Sequence, residues 1–162
     1  IDVIATAMRA GLTATDLIDL ELAYAPPFGS AKDPINQLGY IAENRMSGLS
    51  ESADWSEIEQ LQTSGWKLLD VRTREEFAEG SNPGATNVPV DELRDHLDDL
   101  RGSDYLVYCA VGQRAHVATQ LLKAHGISAK NLDGGWTTWR NTRTARSLRD
   151  VPKKQLVGAA LS

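Results

Sequence analysis

The chain has 162 residues, of which 41% are hydrophobic and 24% charged, with four tryptophans. That balance belongs to a globular protein and excludes a disordered or fibrous one. A net charge of −5 argues against general nucleic-acid binding, no apolar run is long enough to cross a bilayer as a helix, and a single cysteine excludes an intrachain disulfide. A lone thiol fits a reducing compartment, so the expected setting is cytoplasmic, with neither nucleic acid nor membrane as a partner.

Residues 1–47 open with Ile1, Ile4, Ala5 and Met8 at helical spacing, and Gly11 ends that segment. Thr13 or Thr15 is placed to cap a short second helix through Leu17, Ile18 and Leu20. Pro26-Pro27 forces an extended stretch. Pro34 suits the first turn of a further helix, with Asp33 or Ser30 near its cap, running to about Arg45. These helices come with too few strands to close a core, so the segment is expected to pack on something else. The chain also begins at Ile1 inside a helical pattern, which leads us to expect a piece of a longer protein. Residues 48–53 are polar and read as a linker.

Residues 54–141 alternate in type. Asp54 to Gln62 reads as helix and "WKLLDVR" (66–72) as a buried strand. Thr73 to Ala78 suits a short helix in which Thr73 and Glu76 form a capping box. A short strand lies within 81–89, and Asp91 to Leu100 reads as an amphipathic helix facing inward through Leu93, Leu97 and Leu100. "YLVYC" (105–109) is a second buried strand, Arg114 to His125 a helix, "AKNLDGG" (129–135) a third strand with its turn, and Trp136 to Asn141 a last helix. Alternating apolar strands and helices imply an α/β fold with a parallel sheet covered on both faces. Residues 142–162 form a basic tail carrying +4, which leaves −9 on the rest; it reads as a solvated terminus.

Cys109 stands where the second strand ends, and a helix starts at Arg114. The residues between must curl tightly. In such a loop successive N–H groups can converge on one point, and the helix N-terminus adds partial positive charge. The anions to be stabilised there are the Cys109 thiolate and any charged atom the sulfur carries after reacting. Gly112 permits an unusual backbone conformation, Arg114 adds a full charge, and Ala110 and Val111 leave the mouth small and fairly apolar. The alternative is a buried, inert cysteine. The nucleophile reading requires that Cys109 not be sealed inside and that the loop amides face it.

Residues 54–140 resemble the rhodanese domain family. The motifs are "LLDVRTREEFAEGSNPGATNVP", "YLVYCAVGQRAHVATQLLKAHG" and "NLDGGWTTW". The resemblance implies a three-layer α/β/α domain around a mostly parallel sheet, here with a mostly helical amino-terminal extension. It implies sulfur transfer in which Cys109 forms a persulfide, taking sulfane sulfur from a donor and handing it to a thiol acceptor. Ala110, Val111, Gly112, Gln113 and Arg114 would form the cradle, with no cofactor and no metal. Two features depart from the family. Ser81-Asn82 replaces a frequent His-Ile, and the uncharged loop interior counts against thiosulfate as the preferred donor. Phosphatases on the same fold place five residues between Cys and Arg; four intervene here, which suits a single sulfur atom, and Tyr108 stands where His is usual.

Asp70 and Arg72 end the first strand at the same edge and are expected to support the loops rather than touch substrate. Glu75 and Glu76 read as capping or solvated residues, His116 as a surface residue rather than a base, and His96 and His125 as peripheral. Trp136 and Trp139 read as core anchors. No His, Cys, Asp and Glu cluster has metal-binding spacing.

"LELAYAPPFGSAKDPINQLGYIAEN" (20–44) resembles the end of the dimerisation domain in flavin-dependent pyridine nucleotide-disulfide oxidoreductases of the coenzyme A-disulfide reductase branch. The resemblance implies a parent with FAD, NAD(P)H and coenzyme A as ligands, none of them bound by this stretch alone. Its partners would be the parent reductase domains, in an arrangement that allows a homodimer, and Tyr24 would lie near the partner subunit's reductase site, whereas within this stretch alone Tyr24 reads as a hydrophobic contact at a domain edge. A reading of another class is a non-catalytic rhodanese module serving assembly or regulation.

Overall fold

The computed structural model describes residues 1–23, 27–28 and 33–149. Tyr24, Pro26, Ser30 and the tail beyond residue 149 lie outside the described residues. The chain divides into two compact units, residues 1–51 and 52–162.

The first unit contains α1 (Asp2–Arg9), a 3-10 turn (Thr15–Asp19) and α2 (Pro34–Met46). Asp33 caps α2 by accepting from the Ile35 N–H at 2.8 Å, and Pro34 occupies the first turn, where no N–H is needed. Asn36 Nδ2 donates to the carbonyls of Leu17, Ile18 and Leu20 at 2.9–3.1 Å, closing the end of the 3-10 turn. Gly39 lets the two segments touch, because a Cβ there would lie 2.8 Å from the Ile18 backbone nitrogen. Ala7 and Leu17 are buried, whereas Met8, Leu38, Ile41 and Met46 are exposed.

The second unit holds a five-stranded sheet of β1 (Ser52–Ala53), β2 (Lys67–Asp70), β3 (Thr86–Asn87), β4 (Tyr105–Tyr108) and β5 (Ala129–Leu132). The strand order is β1-β5-β4-β2-β3 and every pairing is parallel. Its helices are α3 (Ile58–Thr63), α4 (Arg74–Ala78), α5 (Gln113–Ala124) and α6 (Gly135–Arg149). Alternate strand residues supply two cores, which makes three layers. Leu69, Tyr105 and Val107 pack with Leu93, Leu97, Ala118 and Leu122 on one face. Leu68, Leu106 and Tyr108 pack with Ile58 and Leu132 on the other, joined by Trp55, Trp66, Trp136 and Trp139. Trp136 and Trp139 stack with centroids 4.9 Å apart, as core anchors should.

Three elements differ from expectation. The polar segment 48–53 ends in β1, which pairs Ser52 with Asn131 and Ala53 with Leu132. Residues 91–100 do not form one helix; only Leu93–His96 make a 3-10 turn. Leu93, Leu97 and Leu100 are still buried, but Asp91, Asp95, Asp98 and Asp99 are poor helix formers whose charges repel at one-turn spacing. The last helix runs beyond Asn141 to Arg149.

Candidate functional site

Cys109 leaves the carboxyl end of β4, and α5 begins four residues later at Gln113, capped by Gly112. Gly112 has φ 122°, a region that side chains with a Cβ avoid. In this conformation its N–H donates to Cys109 Sγ at 3.1 Å.

The loop is held from behind by its carbonyls. The first free amides of α6, Trp136 N–H and Thr137 N–H, donate to the carbonyls of Cys109 (2.8 Å) and Ala110 (3.0 Å). Asn131 on β5 reaches the Gly112 carbonyl at 3.4 Å. In a trans peptide the N–H points opposite to the C=O. Tying the Cys109 and Ala110 carbonyls to α6 therefore turns the N–H groups of Ala110 and Val111 away from that helix. Gly135 makes the approach possible: a Cβ there would collide with the Cys109 carbonyl oxygen and lie 3.0 Å from the Ala110 carbonyl.

Arg114 is bound fork to fork by Glu76, Nη1 to Oε2 at 2.7 Å and Nη2 to Oε1 at 2.8 Å. Glu76 Oε2 also accepts from the Thr73 N–H at 2.9 Å, and Thr73 Oγ1 accepts from the Glu76 N–H, so the expected capping box is present. The hydrogen bonds from Arg114 hold the Glu76 carboxyl down at about 2, against partial burial. Arg114 in turn is held above its ordinary value, first by the hydrogen bond to Glu76 and further by the neighbouring Cys109 sulfur.

Asp70 and Arg72 are buried and paired, with Arg72 Nε and Nη2 on the carboxylate at 3.0 and 2.6 Å. Arg72 also donates to the Gly80 carbonyl at 2.7 Å, and its guanidinium lies 4.9 Å from the Trp136 ring centroid. Burial opposes its charge, and the hydrogen bond and charge of Asp70 more than restore it. Asn82, at one of the departing positions, donates its N–H to the Tyr108 hydroxyl at 3.1 Å. Burial raises the Tyr108 phenol.

The structure thus gathers Cys109, the loop 110–112 and the first two residues of α5, Gln113 and Arg114, at the end of β4 and sets Asp70 and Arg72 in the buried wall beside them. Cys109 itself is 1% exposed, while Val111 at the loop tip is 66% exposed. Of the two requirements, an amide faces the sulfur, but the thiol is covered in this conformation. Three residues were not singled out for the site: Glu76, Asn131 and Gly135. The Gly134-Gly135 pair after a strand was the available signal for the last; nothing local marks the other two as loop partners. Among the described residues no group of His, Cys, Asp and Glu could hold a metal ion, and no helix is long and apolar enough to cross a membrane.

Comparison with known proteins follows the same lines. Residues 54–142 match the rhodanese-like domain family. Human thiosulfate:glutathione sulfurtransferase is 35% identical over 100 residues, covering 51% of this chain and 87% of that protein. Reduced CoADR-RHD from Bacillus anthracis superposes with a TM-score of 0.79 and 46% identity over 83% of this chain. The NAD-dependent persulfide reductase from A. fulgidus gives 0.75 and 37% over 86%. The chain spans about a quarter of the length of each of these two structures, 24% and 25%. Residues 52–162 make up about two-thirds of the chain, so both likenesses extend into the first unit. On the family match and the loop that carries it, the chain belongs to the rhodanese-like domain family.

Proposed function

We propose that the chain transfers sulfane sulfur through a persulfide on Cys109. The observation that carries this reading is the Gly112 N–H on Cys109 Sγ, in a loop between β4 and the start of α5. Cys109 is 1% exposed, so the loop must first open to admit a donor R–S–SH, whose outer sulfur the Cys109 thiolate then attacks. The donor S–S bond breaks, R–S⁻ leaves with the electron pair, and Cys109–S–SH forms and ionises. An acceptor thiolate then takes the outer sulfur and returns the Cys109 thiolate, so no external oxidant or reductant is needed. The amides of residues 110–113 stabilise the persulfide anion beside Arg114, whose charge Glu76 offsets, and Asp70 and Arg72 hold the wall.

The likeness to two reductases supports a wider setting, in which this chain is the carboxyl-terminal part of a cytoplasmic reductase acting on coenzyme A disulfides, persulfides or polysulfides. FAD and NAD(P)H would sit in domains of that parent, in an arrangement that includes a homodimer with Tyr24 near the partner's site. They do not fit here. The strand-to-helix turns after β2 and β4 lack the glycine-rich form that cradles a dinucleotide, and Gly134-Gly135 after β5 does not continue into G-x-G-x-x-G and packs against the Cys109 and Ala110 carbonyls, so no step is assigned to flavin or nicotinamide.

The covered thiol favours a second reading, a non-catalytic module. Mass spectrometry separates the two after incubation with thiosulfate, polysulfide and coenzyme A persulfide. Gain of one sulfur atom, reversed by reductant and lost in Cys109→Ser, supports transfer. No gain with any of the three donors supports the module.

A further inference from the structure

We propose that Glu76 sets donor specificity at Cys109: by neutralising Arg114 it disfavours dianionic sulfur donors relative to organic persulfides. This rests on the transfer reading above. The loop interior, Ala110 to Gln113, carries no charge, so Arg114 is the formal cation of the loop. Glu76 occupies both of its Nη atoms, and each side chain of the pair is 34% exposed, so solvent screens the pair only in part. The neighbouring arginine, Arg72, has its own carboxylate in Asp70. Arg114 and Arg72 are therefore each matched by one carboxylate.

Peptide dipoles and a neutralised arginine suit the single charge of a persulfide. Thiosulfate brings two charges. To use Arg114 it would have to displace Glu76, which the capping box pins through the Thr73 N–H and whose carboxyl stays ionised down to about 2. At the loop tip Val111 is 66% exposed, an apolar edge that fits the carbon arm of an organic persulfide and offers nothing to an inorganic anion. With thiosulfate, the Cys109 thiolate would take the outer sulfur and release sulfite, Cys–S⁻ + S–SO₃²⁻ giving Cys–S–S⁻ + SO₃²⁻. The chemistry is balanced, so discrimination lies in binding the dianion.

The test measures initial rates of Cys109 persulfidation in the whole chain with thiosulfate and with hydroxyethyl persulfide. In the wild type, thiosulfate should be the poorer donor by about tenfold or more in kcat/KM; the reverse order overturns the proposal. Glu76→Gln keeps the capping box, since Gln serves there as well as Glu, and frees the charge of Arg114. It should raise the ratio of thiosulfate to alkyl persulfide about tenfold, an effect that shrinks as salt is added. Glu76→Asp, which keeps the carboxylate, should stay near the wild-type ratio, and the double variant Glu76→Gln with Arg114→Gln should lose the gain. An unchanged ratio in Glu76→Gln, or a gain that survives in the double variant, sinks the proposal while the transfer reading stands. No persulfide from either donor in the wild type removes both.

Discussion

Gly135 serves the loop from outside it. Its φ of 54° lies in the left-handed region, and the Cys109 and Ala110 carbonyls crowd the place of a Cβ. Gly135→Ala should destabilise the second unit by about 2–3 kcal/mol, read from denaturant midpoints. It should also slow Cys109 persulfidation, because the carbonyls that orient the Ala110 and Val111 amides lose their anchor. Glu76 is the residue with a pH signature. Its carboxyl falls from an ordinary 4.5 to about 2 on folding, so its contribution is fully present above 4.5 and lost as the pH drops toward 2. The wild type should lose thermal stability across that window more steeply than Glu76→Gln, followed by melting temperature against pH.

At the level of elements, the pair at the end of β2 ties three segments together: the strand itself, the turn at Gly80 and the start of α6 at Trp136. Arg72→Ala would leave Asp70 buried and uncompensated, which costs about 3–5 kcal/mol. Arg72→Lys should restore little, since a single ammonium cannot reproduce the planar two-point contact. Urea midpoints of the three proteins check this order. The elements around this pair were legible for physical reasons. The apolar runs of β2 and β4 could only be buried strands, and the Thr73–Glu76 box announced α4. The two-residue β1 was not legible, because its only recommendation is a partner strand far along the chain at Asn131 and Leu132. The acidic stretch 91–100 kept its leucine spacing but lacked the propensity to hold a full helix. At the site, Cys109 to Arg114 could be read as one contiguous loop. The Glu76–Arg114 contact could not, since it joins residues 38 apart whose local patterns are complete without each other.

For the whole molecule, the division into two units has a direct consequence. All four tryptophans, at positions 55, 66, 136 and 139, lie in the second unit, whereas the first is largely helical and leaves many apolar side chains exposed. Helix loss by far-UV circular dichroism should therefore begin at lower denaturant than the change in tryptophan fluorescence; coincident curves would mean that the two units melt together. The position of Cys109, 1% exposed as the sole thiol of the chain, carries a different consequence. An alkylating reagent has one target and must wait for the backbone above it to open. At high reagent concentration the modification rate should level off at the opening rate, so this one sulfur acts as a clock for how often its cover breathes.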